Sequence, residues 1–128
     1  MAPYSFRKLR LLVLSVATLS ASAFLAHAQT PDAPEIVQAA RKDDVANVKD
    51  LIAAGVNVNA TQGDGATALH WAAHRNNLES VRLLLDAGAN PNKANALQAT
   101  PLWIASENGN APLTELLLDA GADPNAAL

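Results

Sequence analysis

The feature that most constrains the fold of this chain is an internal repeat of 33 residues. When residues 63–95 are compared with residues 96–128, 15 of the 33 positions are identical. Residues 30–62 match 63–95 at 9 positions, which include the glycine at Gly55. Repeats of this length are typical of solenoids, in which each unit hides its apolar face against its neighbours. The sequence therefore predicts three stacked copies of one unit.

Within a unit the apolar residues have the periodicity of helices. In the second unit they recur at i, i+3 and i+4 from residue 69 to 73, and a second stripe runs from 78 to 85. The polar pair Asn76 and Asn77 separates the two stripes, and Gly88 follows the second one. We expect two short helices, the second of which ends at Gly88 in the left-handed conformation. Helices this short are unstable alone and must pack on neighbouring units.

Three segments carry a resemblance to a known family: GATALHWAA at residues 65–73, LLLDAGANPN at 83–92 and TPL at 100–102. They resemble ankyrin repeats, and the resemblance covers residues 35–125. It implies an all-α solenoid of about three helix-turn-helix units joined by β-hairpin-type loops. The units are predicted at 35–62, as an N-terminal capping repeat, at 63–95 and at 96–128.

The first thirty residues have the arrangement of a secretory signal peptide. Arg7, Lys8 and Arg10 precede an uncharged apolar run from 11 to 25, and Ala26-His27-Ala28 has the small residues of a cleavage site. We expect residues 1–28 to be removed, residues 29–34 to form a linker, and the protein to be exported, either periplasmic or secreted. The alternative is an uncleaved membrane anchor, for which the apolar run is short.

Charge and cysteine content exclude several classes of function. The chain has no Cys, which excludes disulfides, thiolate metal sites and a thiol nucleophile. Residues 29–128 hold 6 basic and 12 acidic side chains, so their net charge is 6 − 12 = −6. Such a charge disfavours nucleic acid and anionic membrane surfaces as partners. We therefore expect no contact with nucleic acid, nor with a membrane after signal cleavage.

Two motifs suggest chemistry but lack the context for it. The segment GDGATA at 63–68 fits a dinucleotide fingerprint, yet no apolar strand precedes it. His70 and His74 have the i, i+4 spacing of a zinc pair, but Trp71 stands where a metalloprotease has Glu. The resemblance implies instead that His70 bonds the loop backbone. We predict no enzyme activity, no cofactor and no metal, and keep a metal-binding or enzymatic protein built on these histidines as a further hypothesis.

The residues that differ between units are the candidates for recognition. The resemblance implies that another protein, of unknown identity, is bound at the loop tips and on the exposed, concave side of the first helices. An apolar tip residue and an aromatic residue nearby are typical binding hot spots, although Trp103 could equally pack beneath the neighbouring loop. Trp71 aligns with a core position and is predicted to pack. The predicted partner-binding residues are Asp64, Ala66, His74, Arg75, Leu97, Ala99, Trp103, Glu107 and Asn108.

The third unit has features of an interrupted array. It ends in Asp123-Pro124-Asn125, which in the resembling family leads into another repeat, and no polar helix is predicted to cover Leu116 and Leu117. Two hypotheses follow. The chain is the N-terminal piece of a longer array with a structural role, or this uncapped repeat associates end to end with another copy.

Overall fold

The computed structural model describes residues 33–126, which form three consecutive pairs of helices and no strand. The predicted all-α repeat fold is confirmed. The signal peptide predicted at 1–28 and most of the linker lie outside the described residues. No helix within 33–126 has the length and apolar character needed to cross a membrane. The helices are α1 (Glu35–Arg41), α2 (Val45–Ala53), α3 (Ala68–His74), α4 (Leu78–Asp86), α5 (Pro101–Glu107) and α6 (Ala111–Asp119).

The second helix of each pair begins at a short polar side chain. Asp44, Asn77 and Asn110 each accept a hydrogen bond from a backbone N–H three residues ahead, at 3.0–3.1 Å. Such N-caps satisfy a donor that the first helical turn leaves without a partner. In all three units, the polar residue after the inter-helix turn therefore fixes where the second helix starts.

The end of α4 confirms the predicted role of Gly88. This residue has φ +95°, and its N–H donates to the Leu85 carbonyl at 3.0 Å. The N–H of Ala89 donates to the Leu84 carbonyl at 2.9 Å. This pair of bonds is a Schellman ending, which requires the left-handed conformation that glycine adopts without strain.

The helices form two layers that enclose the core. The first helices, α1, α3 and α5, pack in one layer, and α2, α4 and α6 pack in the other. Ala39, Ala72 and Ala105 occupy the same register in the three first helices, and each is at most 1 % exposed. Because the distance between helix axes depends on the side chains at the contact, alanine here lets the helices approach closely. The core therefore forms with few aromatic side chains.

The hairpin-type loops between repeats are formed by hydrogen-bonded turns, and within residues 33–126 they contain no strand. The loop before α3 is closed by two backbone bonds, from Gln62 N–H to the Ala66 carbonyl at 3.0 Å and from Gly65 N–H to the Gln62 carbonyl at 2.9 Å. The loop before α5 is closed in the same way, with Asn95 bonded to Ala99 at 3.0 Å and to Gln98 at 2.9 Å. Within residues 33–126 these bonds do not extend into a strand ladder. Polar side chains and neighbouring loops, rather than a sheet, hold the loops in place.

Candidate protein-binding surface

His70 is held between two repeats. It is 3 % exposed, and its Nδ1 accepts the backbone N–H of Thr67 at 3.0 Å. The ring proton therefore lies on Nε2, which donates to the Ala99 carbonyl at 3.0 Å. This geometry argues against a metal pair with His74, because both ring nitrogens of His70 are already bonded within the protein. Among residues 33–126, no three His, Asp or Glu side chains group as metal ligands.

The environment of His70 favours its neutral form. Burial lowers the pKa of the ring below its ordinary value of 6.5, and the hydrogen bond to the Ala99 carbonyl opposes this shift only in part. A neutral ring with its proton on Nε2 satisfies the bonds on both sides. His70 therefore supports the next loop, as the resemblance implies.

The loop tips expose two of the four residues predicted to contact a partner there. Asp64 is exposed, and Leu97 is 79 % exposed. The prediction is wrong for Ala66 and Ala99, which are only 4 % and 6 % exposed. Their carbonyls close the loops, so their side chains turn towards the packed interior. The sequence pattern located the loops but did not indicate which of their residues face inwards.

Side-chain oxygens shape both tips. The Asp64 carboxylate accepts the N–H of Ala66 at 2.9 Å, and this bond holds the pKa of the carboxyl below its ordinary value. In the next loop, Asn95 Oδ1 accepts the N–H groups of Leu97 and Ala99 at 2.9 and 3.0 Å. The exposed Leu97 side chain therefore projects from a loop with a defined conformation.

Arg75 and Asn108 are exposed, as predicted, but they also join adjacent repeats. Arg75 Nε donates to the Arg41 carbonyl at the end of α1, at 2.8 Å. One repeat later, Asn108 Nδ2 donates near the end of α3, to the Ala73 and His74 carbonyls at 3.3 and 3.4 Å and to Asn76 Oδ1 at 3.3 Å. Both side chains therefore satisfy a carbonyl at a helix C-terminus. Arg75 and Asn108 lie 33 residues apart, which is one repeat, and this spacing is the sequence signal from which their shared role between repeats could have been inferred.

A basic-aromatic cluster lies where α1 and α3 end. It consists of Arg41, Lys42, Trp71, His74 and Arg75. The Arg41 guanidinium carbon lies 6.0 Å from the centre of the Trp71 ring, and the His74 ring meets that ring edge-on at 5.7 Å. Trp71 is half-buried against the core, as its predicted packing role requires, and the four polar members are exposed. In α5 the register of His74 is held by Glu107 and that of Arg75 by Asn108, and both are exposed. The positive charge of the cluster therefore does not continue into the third repeat.

Asparagines form a second tie between repeats that the sequence did not reveal. Asn59 Nδ2 donates to the Gly88 carbonyl at 3.1 Å, and its Oδ1 accepts the N–H of Asn90 at 2.7 Å. Asn92 repeats this two-bond contact with the carbonyl of Gly121 at 3.0 Å and the N–H of Asp123 at 2.7 Å. We call each such pair of bonds an asparagine clamp.

The outer face of the third repeat is partly open. Trp103 is half-buried, and with Leu118 it lines an open cavity of about 200 Å³. Leu118 is 42 % exposed. The expectation that Leu117 lies on this uncovered side is wrong, because this residue is 0 % exposed. Successive residues of a helix face different sides of it, so Leu118 lies on the open face while its neighbour Leu117 lies in the core.

The family of this chain follows from its repeat sequence. A family model described as ankyrin repeats (3 copies) matches residues 36–127. The chain belongs to the ankyrin-repeat family. Ankyrin repeats indicate a protein–protein interaction module, and the family is generally non-catalytic. No curated protein matches the chain.

Proposed function

We propose that this ankyrin-repeat protein is a non-catalytic module that captures another protein through its loop tips and the exposed face of its first helices. The observation that carries the proposal is Leu97, an apolar side chain 79 % exposed on a loop whose backbone is tied by Asn95. A preformed loop loses little conformational entropy when it binds. Asp64 in the preceding loop and Glu107 on α5 add exposed charge at two other predicted contact positions.

Immobilised protein tests this proposal when it is incubated with the exported proteins of the source cell. We expect a specific partner to be retained and Leu97→Asp to reduce its recovery at least tenfold. Leu118→Asp is the matched control, because within residues 33–126 it places the same charge on the other strongly exposed large apolar side chain. Equal recovery with both variants would refute the assignment of Leu97. Trp103→Ala is measured separately, since Trp103 is half-buried.

Export with cleavage after Ala28 is part of the proposal. It is supported by the order of basic, apolar and small residues in 1–28. The mass and N-terminal sequence of the protein recovered from expressing cells test it. We expect a chain that begins at Gln29 in the exported fraction. A chain that begins at Met1 and stays with the cells would refute the proposal.

The open face of the third repeat favours a second activity, which is stacking on the first repeat of another copy. In the second repeat, the position equivalent to Trp103 is His70, 3 % exposed and covered by the following repeat. Asn125 is in register with the clamp residue Asn92, and within residues 33–126 it makes no clamp. In the first repeat, Gly55 and Asn57 are in register with the groups that the clamps bind. A second copy could therefore continue the pattern.

Sedimentation over a hundredfold range of protein concentration tests stacking. We expect the mean mass to rise with concentration and Leu118→Asp to abolish the rise. Leu97→Asp is the control, because it lies on a loop tip away from the open cavity. A monomer mass at every concentration would refute stacking.

A further inference from the structure

The basic-aromatic cluster concentrates positive charge in an acidic body. Residues 29–128 hold six Lys and Arg side chains, and three of these lie in the cluster: Arg41, Lys42 and Arg75. Within residues 33–126 the ion pair that forms joins Lys49 to Glu79 at 2.9 Å, on the second-helix layer. The cationic groups of the cluster are therefore not neutralised by ion pairs with the described carboxylates.

Arg75 is oriented by its own hydrogen bond. Its Nε donates to the Arg41 carbonyl at 2.8 Å, so this nitrogen of the guanidinium already has a hydrogen-bond partner within the protein. The two terminal nitrogens take no part in that bond, and the side chain is exposed. A guanidinium held in this way offers two parallel N–H donors, which is the geometry that a carboxylate accepts.

Trp71 supplies an apolar floor beside these donors. Its Nε1 donates to Gln62 Oε1 at 3.2 Å, so the polar edge of the indole is satisfied. The Arg41 guanidinium carbon lies 6.0 Å from the centre of the ring, and the His74 ring stands nearly perpendicular to the indole with its centre 5.7 Å away. The methylene groups of a Glu side chain can pack on such a surface while its carboxylate reaches Arg75.

From this arrangement we propose that the cluster binds a short acidic segment of a partner protein, rich in Glu or Asp. This inference deepens the proposed function and rests on it, since it names the chemistry of the partner at the first-helix face. The extent of the positive surface limits the segment. Asp43 and Asp44 follow Lys42 directly, and in the third repeat Glu107 and Asn108 stand in the register of His74 and Arg75. The cluster therefore matches a few carboxylates rather than a long polyanion.

The small extent of the cluster favours a short peptide over nucleic acid, because the net charge of −6 on residues 29–128 repels any long polyanion. Nucleic acid binding draws on many phosphate contacts along a basic surface, which a cluster confined to two repeats does not supply. A protein partner that is neutral apart from one acidic segment meets less repulsion from the rest of the surface.

A hexaglutamate peptide is the probe that tests this inference. The chain has two tryptophans, so Trp103→Phe leaves Trp71 as the only indole, and its fluorescence reports binding at the cluster. We expect a saturable change in emission with hexaglutamate and none with hexaglutamine. Binding should weaken at least fivefold when NaCl is raised from 50 to 300 mM, because exposed charges are screened.

Three variants in the Trp103→Phe background locate the binding. Arg75→Gln and Arg41→Gln should each weaken hexaglutamate binding about tenfold. Arg82→Gln is the matched control, because it removes the same charge from an exposed position on α4, in the other helix layer. It should change the affinity less than twofold. Circular dichroism establishes that each variant has kept its helices.

Several results would overturn the inference. These are no saturable change below 1 mM hexaglutamate, equal weakening by Arg82→Gln, or tighter binding of a hexanucleotide of single-stranded DNA that responds to the same variants. Failure with hexaglutamate while a partner is still captured through Leu97 would leave the proposed function standing and remove only the acidic segment. If hexaglutamate still binds but no partner is captured, the proposed function is refuted and the affinity of the cluster for acidic peptides stands.

Discussion

Removal of one asparagine clamp tests how the repeats are coupled. Asn92→Ala deletes the bonds to the Gly121 carbonyl, at 3.0 Å, and to the Asp123 N–H, at 2.7 Å. A typical hydrogen bond contributes about 1 kcal/mol to stability, so two exposed ones contribute ~1–2 kcal/mol. For a domain of this size each kcal/mol corresponds to about 4–8 °C in Tm, so we expect Tm to fall by roughly 4–16 °C.

Asn125→Ala is a matched control for this experiment. Asn125 has the same side chain in the same register, but within residues 33–126 it makes no clamp. We therefore expect its substitution to change the free energy of unfolding by less than about 0.5 kcal/mol, as for most surface substitutions. Urea unfolding followed by far-ultraviolet circular dichroism measures both variants. Asn59→Ala, which deletes the other clamp, should resemble Asn92→Ala.

The shape of the unfolding curve gives a second measurement. Repeat proteins gain stability from the interfaces between neighbouring units, so a weakened interface lets one unit unfold before the others. We expect Asn92→Ala to broaden the transition and lower its apparent m-value. The reasoning is refuted if Asn125→Ala destabilises the protein as much as Asn92→Ala, or if neither clamp variant costs more than about 0.3 kcal/mol.

Three further predictions concern the loops, the core and His70. Burial lowers the pKa of His70 in the folded protein, so as the pH falls through about 6.5 the unfolded chain takes up a proton before the folded one does. The contribution of the neutral His70 ring to stability is therefore complete above that pH and is lost as the pH falls further. Urea unfolding at pH 7.5 and 5.0 should show this loss in the parent and a smaller one in His70→Gln, and equal losses would contradict it. Gln98, at φ +62°, holds the position that Gly65 has in the preceding loop, at φ +79°. In thermal unfolding, Gln98→Gly should leave the stability unchanged or raise it by up to about 1 kcal/mol, whereas Gly65→Ala should lower it. Leu84→Ala should cost about 2–5 kcal/mol in urea unfolding, since Leu84 is 0 % exposed, and a loss below 1 kcal/mol would show that the core relaxes around it.

The sequence was sufficient for the features that recur within one unit. Apolar periodicity located both helices of the second repeat, and a glycine after the last leucine indicated how α4 ends at Gly88. These features depend on residues a few positions apart, so one copy contains the information and the other copies reinforce it. The same is true of the N-cap residues, although their role was not recognised from the sequence.

Contacts between units were harder to predict. Asn59 is recognisable as a recurring turn residue, but its bonds reach 29 and 31 residues ahead, to Gly88 and Asn90. The sequence indicates that Arg75 is a variable surface residue, but its contact with the Arg41 carbonyl depends on how the repeats stack. The error at Ala66 and Ala99 has a similar cause, because inward or outward direction in a turn depends on backbone angles that periodicity does not report.

The asparagine clamps also bear on how such a chain could grow during evolution. Each clamp joins a residue of one unit to backbone groups of the next, in the same register both times. A duplication of residues 63–95 in the gene would supply the new copy with an asparagine for the unit after it and the backbone groups needed by the unit before it. Lengthening by whole units would therefore require no compensating mutation at these junctions, whereas an insertion of any other length would break one of them.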